Sequence, residues 1–342
     1  MNRADAETCD RLLEAARADF TALDSVLERL PDGLRVLQTE DFPPPFVEKL
    51  AARRKGAIAQ AALAVRLLRR AGPGVALLLN EVDRASQLAC ILNRCRRIVL
   101  YDIFFTTEAW LKSMLVRRMV GGATLSVVFS RRQVETYARH FGLPARRFFF
   151  IPYKANYSKE PPLDAPPCDY VFSGGNSARD YRTFFEAVRG TGIPCVVSST
   201  APETLRGLDV PSNVRVVAAR EPEFGRLMAG SRFVVMTLTG GRVRGYGEQT
   251  VCNGLWHGRP VIAADDVSAA DYIEEGRTGH VLAPGDVEGL RERIAGLWAD
   301  PERCAQMGRR AAEAVRASFT HAHFVARMRN LALLVAGVGR LY

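Results

Sequence analysis

Residues 239 to 265 read TGGRVRGYGEQTVCNGLWHGRPVIAAD, and their order decides the fold. A glycine-rich loop carrying Arg242 and Arg244 leads into a helix expected from near Glu248. The helix stops at Gly258, a C-cap, and a short apolar run, PVIAAD, follows as a buried strand. A loop of this kind lets a ligand approach the main chain, and the first N–H groups of the helix have no partner within it, so the pair suits an anion. Tyr246 and Gly247 close the loop, and Gln249 and Thr250 add polar groups and N–H donors at the helix start. Asn253, one turn further on, is placed to hold sugar hydroxyls. Glu248 accepts hydrogen bonds only when ionised, so it is expected to take hydroxyls rather than phosphate.

Upstream, YVFSGGNSARDYRTFFEAV repeats the design. A strand ends in Ser173-Gly174-Gly175-Asn176, and a helix begins near Asp180. Arg179 stands at that junction, where a guanidinium forks onto a diphosphate. The competing reading is a tight turn with Asp180 as N-cap and Arg179 in solvent. Downstream, DDVSAADYIEEGRTGHVLAPGDVEGL reads as turn, helix, turn, strand, turn and helix, with Gly276, Gly279 and Gly285 as left-handed positions. Asp265 and Asp266 are adjacent and follow a strand, so they read as a turn rather than a metal-binding DxD pair.

The same alternation runs through the chain. CDYVFSG, IPCVVSS, NVRVVA, RFVVMTL, PVIAAD and GHVLA are strands of the second half. GVALLLNEV, RIVLYDIFF and ATLSVVFS are strands of the first, with LRVLQTE as a further edge strand. Helical patterns lie between them. Apolar strands alternating with helices specify α/β architecture, with parallel sheets covered on both faces. The 342 residues fit two such domains. Prolines and polar residues in IPYKANYSKEPPLDAPPCDY mark the linker. The expected division is an N-terminal domain over 1–155, a second over 166–320, and an amphipathic C-terminal segment over 321–342. Open parallel sheets bind ligands beyond the carboxyl ends of their strands, so two facing sheets make a cleft. Asp102, after the strand RIVLY, either faces it as the candidate base for an acceptor or caps the next turn.

The net charge is +10, and residues 51–150 carry +13, so the excess lies in one stretch. Within it, FVEKLAARRKGAIAQAALAVRLLRR mixes basic and apolar residues at near-helical spacing. An interfacial helix on anionic lipid and a core helix with a solvated basic face both fit. Nothing resembles a nucleic-acid-binding motif, and no nucleic acid partner is expected. No apolar stretch is long enough for a transmembrane helix, and the N-terminus lacks a signal-peptide h-region. Seven scattered cysteines form no CxxC pair, which points to a reduced, cytoplasmic protein. His321 and His323 have no third ligand nearby, so no metal is expected. Cys252, inside the helix, reads as a small core residue.

At GYGEQTVCNGLWHGRPVIAADDVSAADYIEEGRTGHVLAPGD the sequence resembles the nucleotide-sugar-binding domain of glycosyltransferases with the GT-B fold, nearest to family 4. The resemblance runs from about Asp169 to Phe324, and GEQT is similar to a sub-group with a Gly-Glu-x-Thr helix start. It implies two Rossmann-like domains facing across a cleft, a C-terminal helix over 321–342 crossing back to the first of them, and transfer of a sugar from a nucleotide-diphosphate donor, by default a UDP-sugar. It implies that Arg179 binds the diphosphate, that Gly174 and Gly175 lie beside the transferred sugar, and that Asn253 falls where the second Glu of a paired-glutamate motif holds the ribose. The first Glu of that pair falls at Gly245, so either Glu248 takes over sugar contact or the donor is held differently. The expected enzyme is a metal-independent, hexosyltransferase-like transferase that uses no cofactor, since the nucleotide-sugar is a substrate. Asp102, Arg179 and Glu248 are its catalytic candidates. The donor-binding set is Gly174, Gly175, Asn176, Arg179, Tyr246, Gly247, Glu248, Gln249, Thr250 and Asn253. A lipid-linked or polysaccharide acceptor is expected, with peripheral attachment to the inner face of the cell membrane through 51–150. The alternatives are a nucleotide-sugar epimerase of the same fold and a non-catalytic binding subunit.

Overall fold

The structure is a computed structural model and describes residues 3–38, 47–50, 56–81, 83–93, 97–103, 110–162, 169–265 and 267–338. The chain forms two compact units, residues 1–151 with 323–342, and residues 152–322.

The first unit contains α1 (Arg3–Ala18), β1 (Arg35–Gln38), β2 (Val47–Lys49), α2 (Ala57–Arg70), β3 (Val75–Asn80), α3 (Arg84–Leu92), β4 (Ile98–Tyr101), α4 (Trp110–Gly122), β5 (Leu125–Val128), α5 (Arg131–Phe141) and β6 (Phe148–Phe150). Its six strands are all parallel, in the order β2-β1-β3-β4-β5-β6. LRVLQTE is therefore not an edge strand. β1 lies between β2 and β3, and the edge is Val47–Lys49, which had read as the start of a helix. Those residues pair with β1 from Val36↔Val47 onward. Gly56, with φ +123°, precedes α2 and separates the two elements. Residues 51–55 of the expected basic helix lie outside the described residues.

The second unit contains β7 (Val171–Gly174), α6 (Tyr181–Val188), β8 (Cys195–Ser198), β9 (Val214–Val217), α7 (Glu223–Ala229), β10 (Val234–Thr237), α8 (Glu248–Trp256), β11 (Val261–Ala264), β12 (Gly279–Leu282), α9 (Val287–Ala299) and α10 (Pro301–Ser318). Its parallel sheet has the order β12-β11-β10-β7-β8-β9. The strand order reverses between β7 and β10, which makes their carboxyl ends the switch point of a doubly wound sheet. β7, β8, β10 and β11 are buried throughout, because helices cover both faces. Phe172 joins the core against α8, and Val171 the core against α6 and α9. Each such large apolar side chain contributes ~1.5–3 kcal/mol when fully buried.

The helix expected in SAADYIEEG is only a 3-10 turn at Ala269–Asp271. Asp265 causes this: its carboxylate accepts from the N–H groups of Val267, Ser268 and Ala269 and from the Ser268 hydroxyl, so the backbone wraps that side chain. Asp266 lies outside the described residues. Gly279 is no left-handed residue. It sits in β12, where a Cβ would lie 2.1 Å from the Val261 carbonyl oxygen.

α11 (His321–Gly337) begins in the second unit, and from His323 onward it belongs to the first. From Arg327 to Gly337 every residue is buried. Arg327, 1% exposed, forms a two-point pair with Asp24 at 2.6 Å, and its guanidinium lies over the Phe20 ring. Asn330 donates to the Leu23 carbonyl. A Cβ on Gly337 would touch Cys9 Sγ, so α11 packs closely on α1.

Cys9, Cys90, Cys195, Cys252 and Cys304 are free and buried. Burial pushes the thiols of Cys9 and Cys304 up to about 11 and those of Cys90 and Cys195 up to about 12. Cys252 is raised well above the ordinary value by the same cause.

Candidate functional site

The switch point of the second unit is closed by main chain. Asp180 N–H bonds the Thr237 carbonyl and Thr239 N–H bonds the Ala178 carbonyl, so the loop after β7 is stitched to the end of β10. Ala178 takes φ +59° to make this link, a strained value for a residue with a side chain. Asp180 caps α6 by accepting from Thr183 N–H at 3.1 Å. This part of the tight-turn reading holds, but Arg179 does not point into solvent.

Arg179 is half-buried and folds back over the glycine loop. Its Nε donates to the Gly174 carbonyl at 2.9 Å, one terminal nitrogen donates to the Ser177 carbonyl at 3.1 Å, and the other donates to Thr250 Oγ1 at 2.8 Å. All three acceptors are neutral. The guanidinium lies so close to Gly175 (φ +122°) that a Cβ there would stand 2.6–2.9 Å from it. Burial lowers the pKa of the guanidinium from its ordinary value, which still leaves it charged. The Tyr181 hydroxyl pins the same loop by donating to the Gly175 carbonyl at 2.6 Å.

Through Thr250, Arg179 reaches the start of α8. The N-cap is Gly247, in the left-handed conformation (φ +85°), and no side chain caps the helix. The first intrahelical bond is Val251 N–H to the Gly247 carbonyl, so the N–H groups of Gln249 and Thr250 have no partner within the helix and are available to a ligand. Gly247 has to be glycine for two reasons. Its φ is positive, and a Cβ would collide with Met236 Sδ at 2.2 Å. Tyr246 is half-buried, with the guanidinium groups of Arg242 and Arg244 at 5.3 and 5.0 Å from its ring.

Glu248, the first residue of α8, is 9% exposed, and its Oε1 has no hydrogen-bond partner. That oxygen occupies the space beside Gly245, where a Cβ would lie 2.0 Å away. Burial, reinforced by the nearby Asp265 charge, pushes the carboxyl up to about 7, against the opposing influence of Arg244, the Ser268 hydroxyl and its own N–H. The folded protein thus holds this proton more tightly than an unfolded chain does. The group therefore costs nothing at acid pH, and its ionisation subtracts stability as pH rises from the ordinary carboxyl value to about 7.

Gly174, Gly175, Arg179, Gly247, Glu248 and Thr250 are brought together, and Gln249 is exposed at the same helix start. Others of the expected donor set are not. Asn176 turns to the end of β8, where its Oδ1 accepts from Ser199 Oγ and Thr200 N–H and its Nδ2 donates to Thr200 Oγ1. Asn253 is 2% exposed, and its Oδ1 accepts from the N–H groups of Asn156 and Tyr157 at 2.8 and 3.4 Å. It ties the segment after Pro152 to α8. Asp102 lies in the first unit, immediately after β4, with φ +59°. A non-glycine residue in that conformation at the carboxyl end of a central strand is a common mark of a functional position.

Cys252 is a fully buried core residue of α8. Among the described residues, no group of three or more His, Cys, Asp or Glu is placed to hold a metal ion, and no helix is long and apolar enough to cross a membrane.

No family model matches the chain, and no curated protein does. Solved structures do. HepE of Anabaena in complex with UDP superposes with a TM-score of 0.59 at 17% identity, over 92% of each chain. A glycosyltransferase from Rickettsia africae gives 0.58 at 14%, over 82% of each. TarM, a protein of S. aureus, gives 0.60 at 11%, over 80% of this chain, which spans only 58% of TarM. The two parallel α/β sheets thus have the fold of GT-B glycosyltransferases.

Proposed function

We propose that the chain is a metal-independent glycosyltransferase that takes its sugar from a nucleotide-diphosphate donor, a UDP-sugar, and passes it to a lipid-linked or polymeric glycan. One observation carries the reading. At the switch point, a guanidinium bonded only to neutral acceptors lies beside an uncapped helix N-terminus. Both supply positive potential, and a diphosphate satisfies both at once. When the sugar–phosphate bond breaks, negative charge grows on the leaving oxygen, and donors already in place stabilise it without having to reorganise. Arg179, Gln249 N–H and Thr250 N–H are the donors assigned to that task, with Asp102 as candidate base for the acceptor. Among the superposed structures, HepE is in complex with UDP and with UDP-glucose, and a TarM mutant is in complex with fondaparinux, alpha-GlcNAc-glycerol and UDP. These ligands support the choice of donor and acceptor class.

A thermal-shift comparison of UDP-, GDP- and ADP-glucose tests this. A donor present at about 100 times its Kd stabilises the protein by about 2.7 kcal/mol. UDP-glucose should give that shift, and no shift with any of the three would overturn the reading.

The proposal extends to an anionic membrane surface. Ile58 and Val65 on α2, Leu92 at the end of α3, and Met114 and Leu115 on α4 are exposed large hydrophobics. α2 packs on α3, and α3 on α4, within the stretch that carries the excess positive charge. The protein should float with vesicles containing anionic lipid, but not with neutral ones or at high salt.

A further inference from the structure

Glu248 had suggested an acceptor of hydroxyl groups, and its surroundings argue for a different chemistry. The two acids at this corner of the second unit are unlike. Asp265 has both oxygens engaged by four donors. Glu248 is nine-tenths buried and has an oxygen with no donor from the fold. That oxygen belongs to the first residue of the uncapped helix assigned to the diphosphate, and it takes the space beside Gly245 where a side chain would otherwise stand.

A second negative charge in this place would face Asp265 on one side and the bound diphosphate on the other. Paired acids in one environment are commonly separated in this way, one charged and one carrying the proton. We propose that Glu248 enters the donor complex as a carboxylic acid, with Oε1 donating a hydrogen bond to an oxygen of the bound nucleotide-diphosphate sugar, so that binding takes up a proton from neutral solution.

This rests on the donor-site reading and adds to it a residue and a proton. A neutral acid offers one donor and keeps acceptor capacity, so it serves a phosphate or a hydroxyl oxygen where a carboxylate serves only hydroxyls. The other titratable and charged groups near Glu248 are known. Arg244 in the glycine-rich loop and Arg179 in the loop after β7 favour its ionisation, whereas Asp265 after β11 opposes it. Cys252, one turn on in α8, and Tyr272 are themselves held protonated, chiefly by burial. With burial included, the balance leaves the carboxyl at about 7 in the free protein, within reach of a further rise when an anion binds.

Calorimetric titration with UDP-glucose separates the outcomes, because its diphosphate is a diester with no proton to lose near neutrality. Between about pH 6.5 and pH 8 the Kd of the wild type should rise about five- to tenfold. In buffers of different ionisation enthalpy, binding near pH 8 should take up a substantial fraction of one proton. Glu248→Gln keeps the shape and the donor but cannot titrate. Its Kd should change less than about twofold over the same range, with no proton uptake from this position. A flat wild-type profile, or the same slope in Glu248→Gln, would overturn the inference and leave the donor site standing. The buffer comparison needs no variant, so it decides even if the substituted protein folds poorly. Failure of the wild type to bind UDP-glucose at the lower pH would instead remove the UDP-sugar reading, and this inference with it.

Discussion

Arg179→Ala should lower the affinity for a nucleotide-diphosphate sugar, and kcat/KM with it, on the order of 100-fold. The side chain is assigned two charge-assisted hydrogen bonds to the diphosphate. Each is worth about 1.5–3 kcal/mol in a partly desolvated site, and 2.7 kcal/mol is already a factor of about 100. The effect on kcat should match or exceed that on KM, because charge on the leaving oxygen grows toward the transition state. Arg179→Lys should recover only part of the loss, since an ammonium supplies the charge without the planar fork. The ligand-free protein must be compared as well, because Arg179 also ties the Gly174 and Ser177 carbonyls and Thr250 together. Gly175→Ala is the complementary change. It keeps the guanidinium but puts a Cβ 2.6 Å from one of its nitrogens, at a φ of +122° that alanine tolerates poorly. Isothermal titration and steady-state kinetics read both variants, and donor affinity in Arg179→Ala within threefold of the wild type would refute the role.

The second large effect concerns stability. Asp24→Ala should destabilise the first unit by about 3 kcal/mol, because it leaves a buried guanidinium without its carboxylate. Arg327 is 1% exposed while Asp24 is 37% exposed, so the cost falls on the arginine that stays behind. Replacing both residues by leucine removes the stranded charge and should cost less than Asp24→Ala alone. For a unit of this size the single change corresponds to a fall of about 6–12 °C in the calorimetric transition. An unchanged transition would show that solvent reaches the arginine in the native state.

Much of this architecture is written in local sequence. RFVVMTL and PVIAAD could be read as strands because strands buried on both faces become unbroken apolar runs, and the helices between them keep their own period. Phe148–Phe150 escaped for the opposite reason. Three phenylalanines beside arginines, at the approach to a proline-rich linker, give no period that separates a strand from a crossover. Val47–Lys49 looked helical because the alanines and arginines that follow dominate any window containing them. At the site, Arg179 was legible from its place between a glycine loop and a helix start. The work of Asn253 was not, since the N–H groups it holds are 96 and 97 residues away. The relation of Glu248 to Gly245 is local in sequence, but it shows only once the loop is folded, when a missing side chain leaves room for a neighbouring one.

The sealed thiols have a practical consequence. Cys9 and Cys90 lie in one unit and Cys195, Cys252 and Cys304 in the other, each too deep and too weakly acidic to meet an alkylating reagent near neutrality. Reagent reaches them only through an opening of the structure around them. The pace at which each of these peptides gains mass therefore keeps separate time for the two units, with no tag or added chromophore.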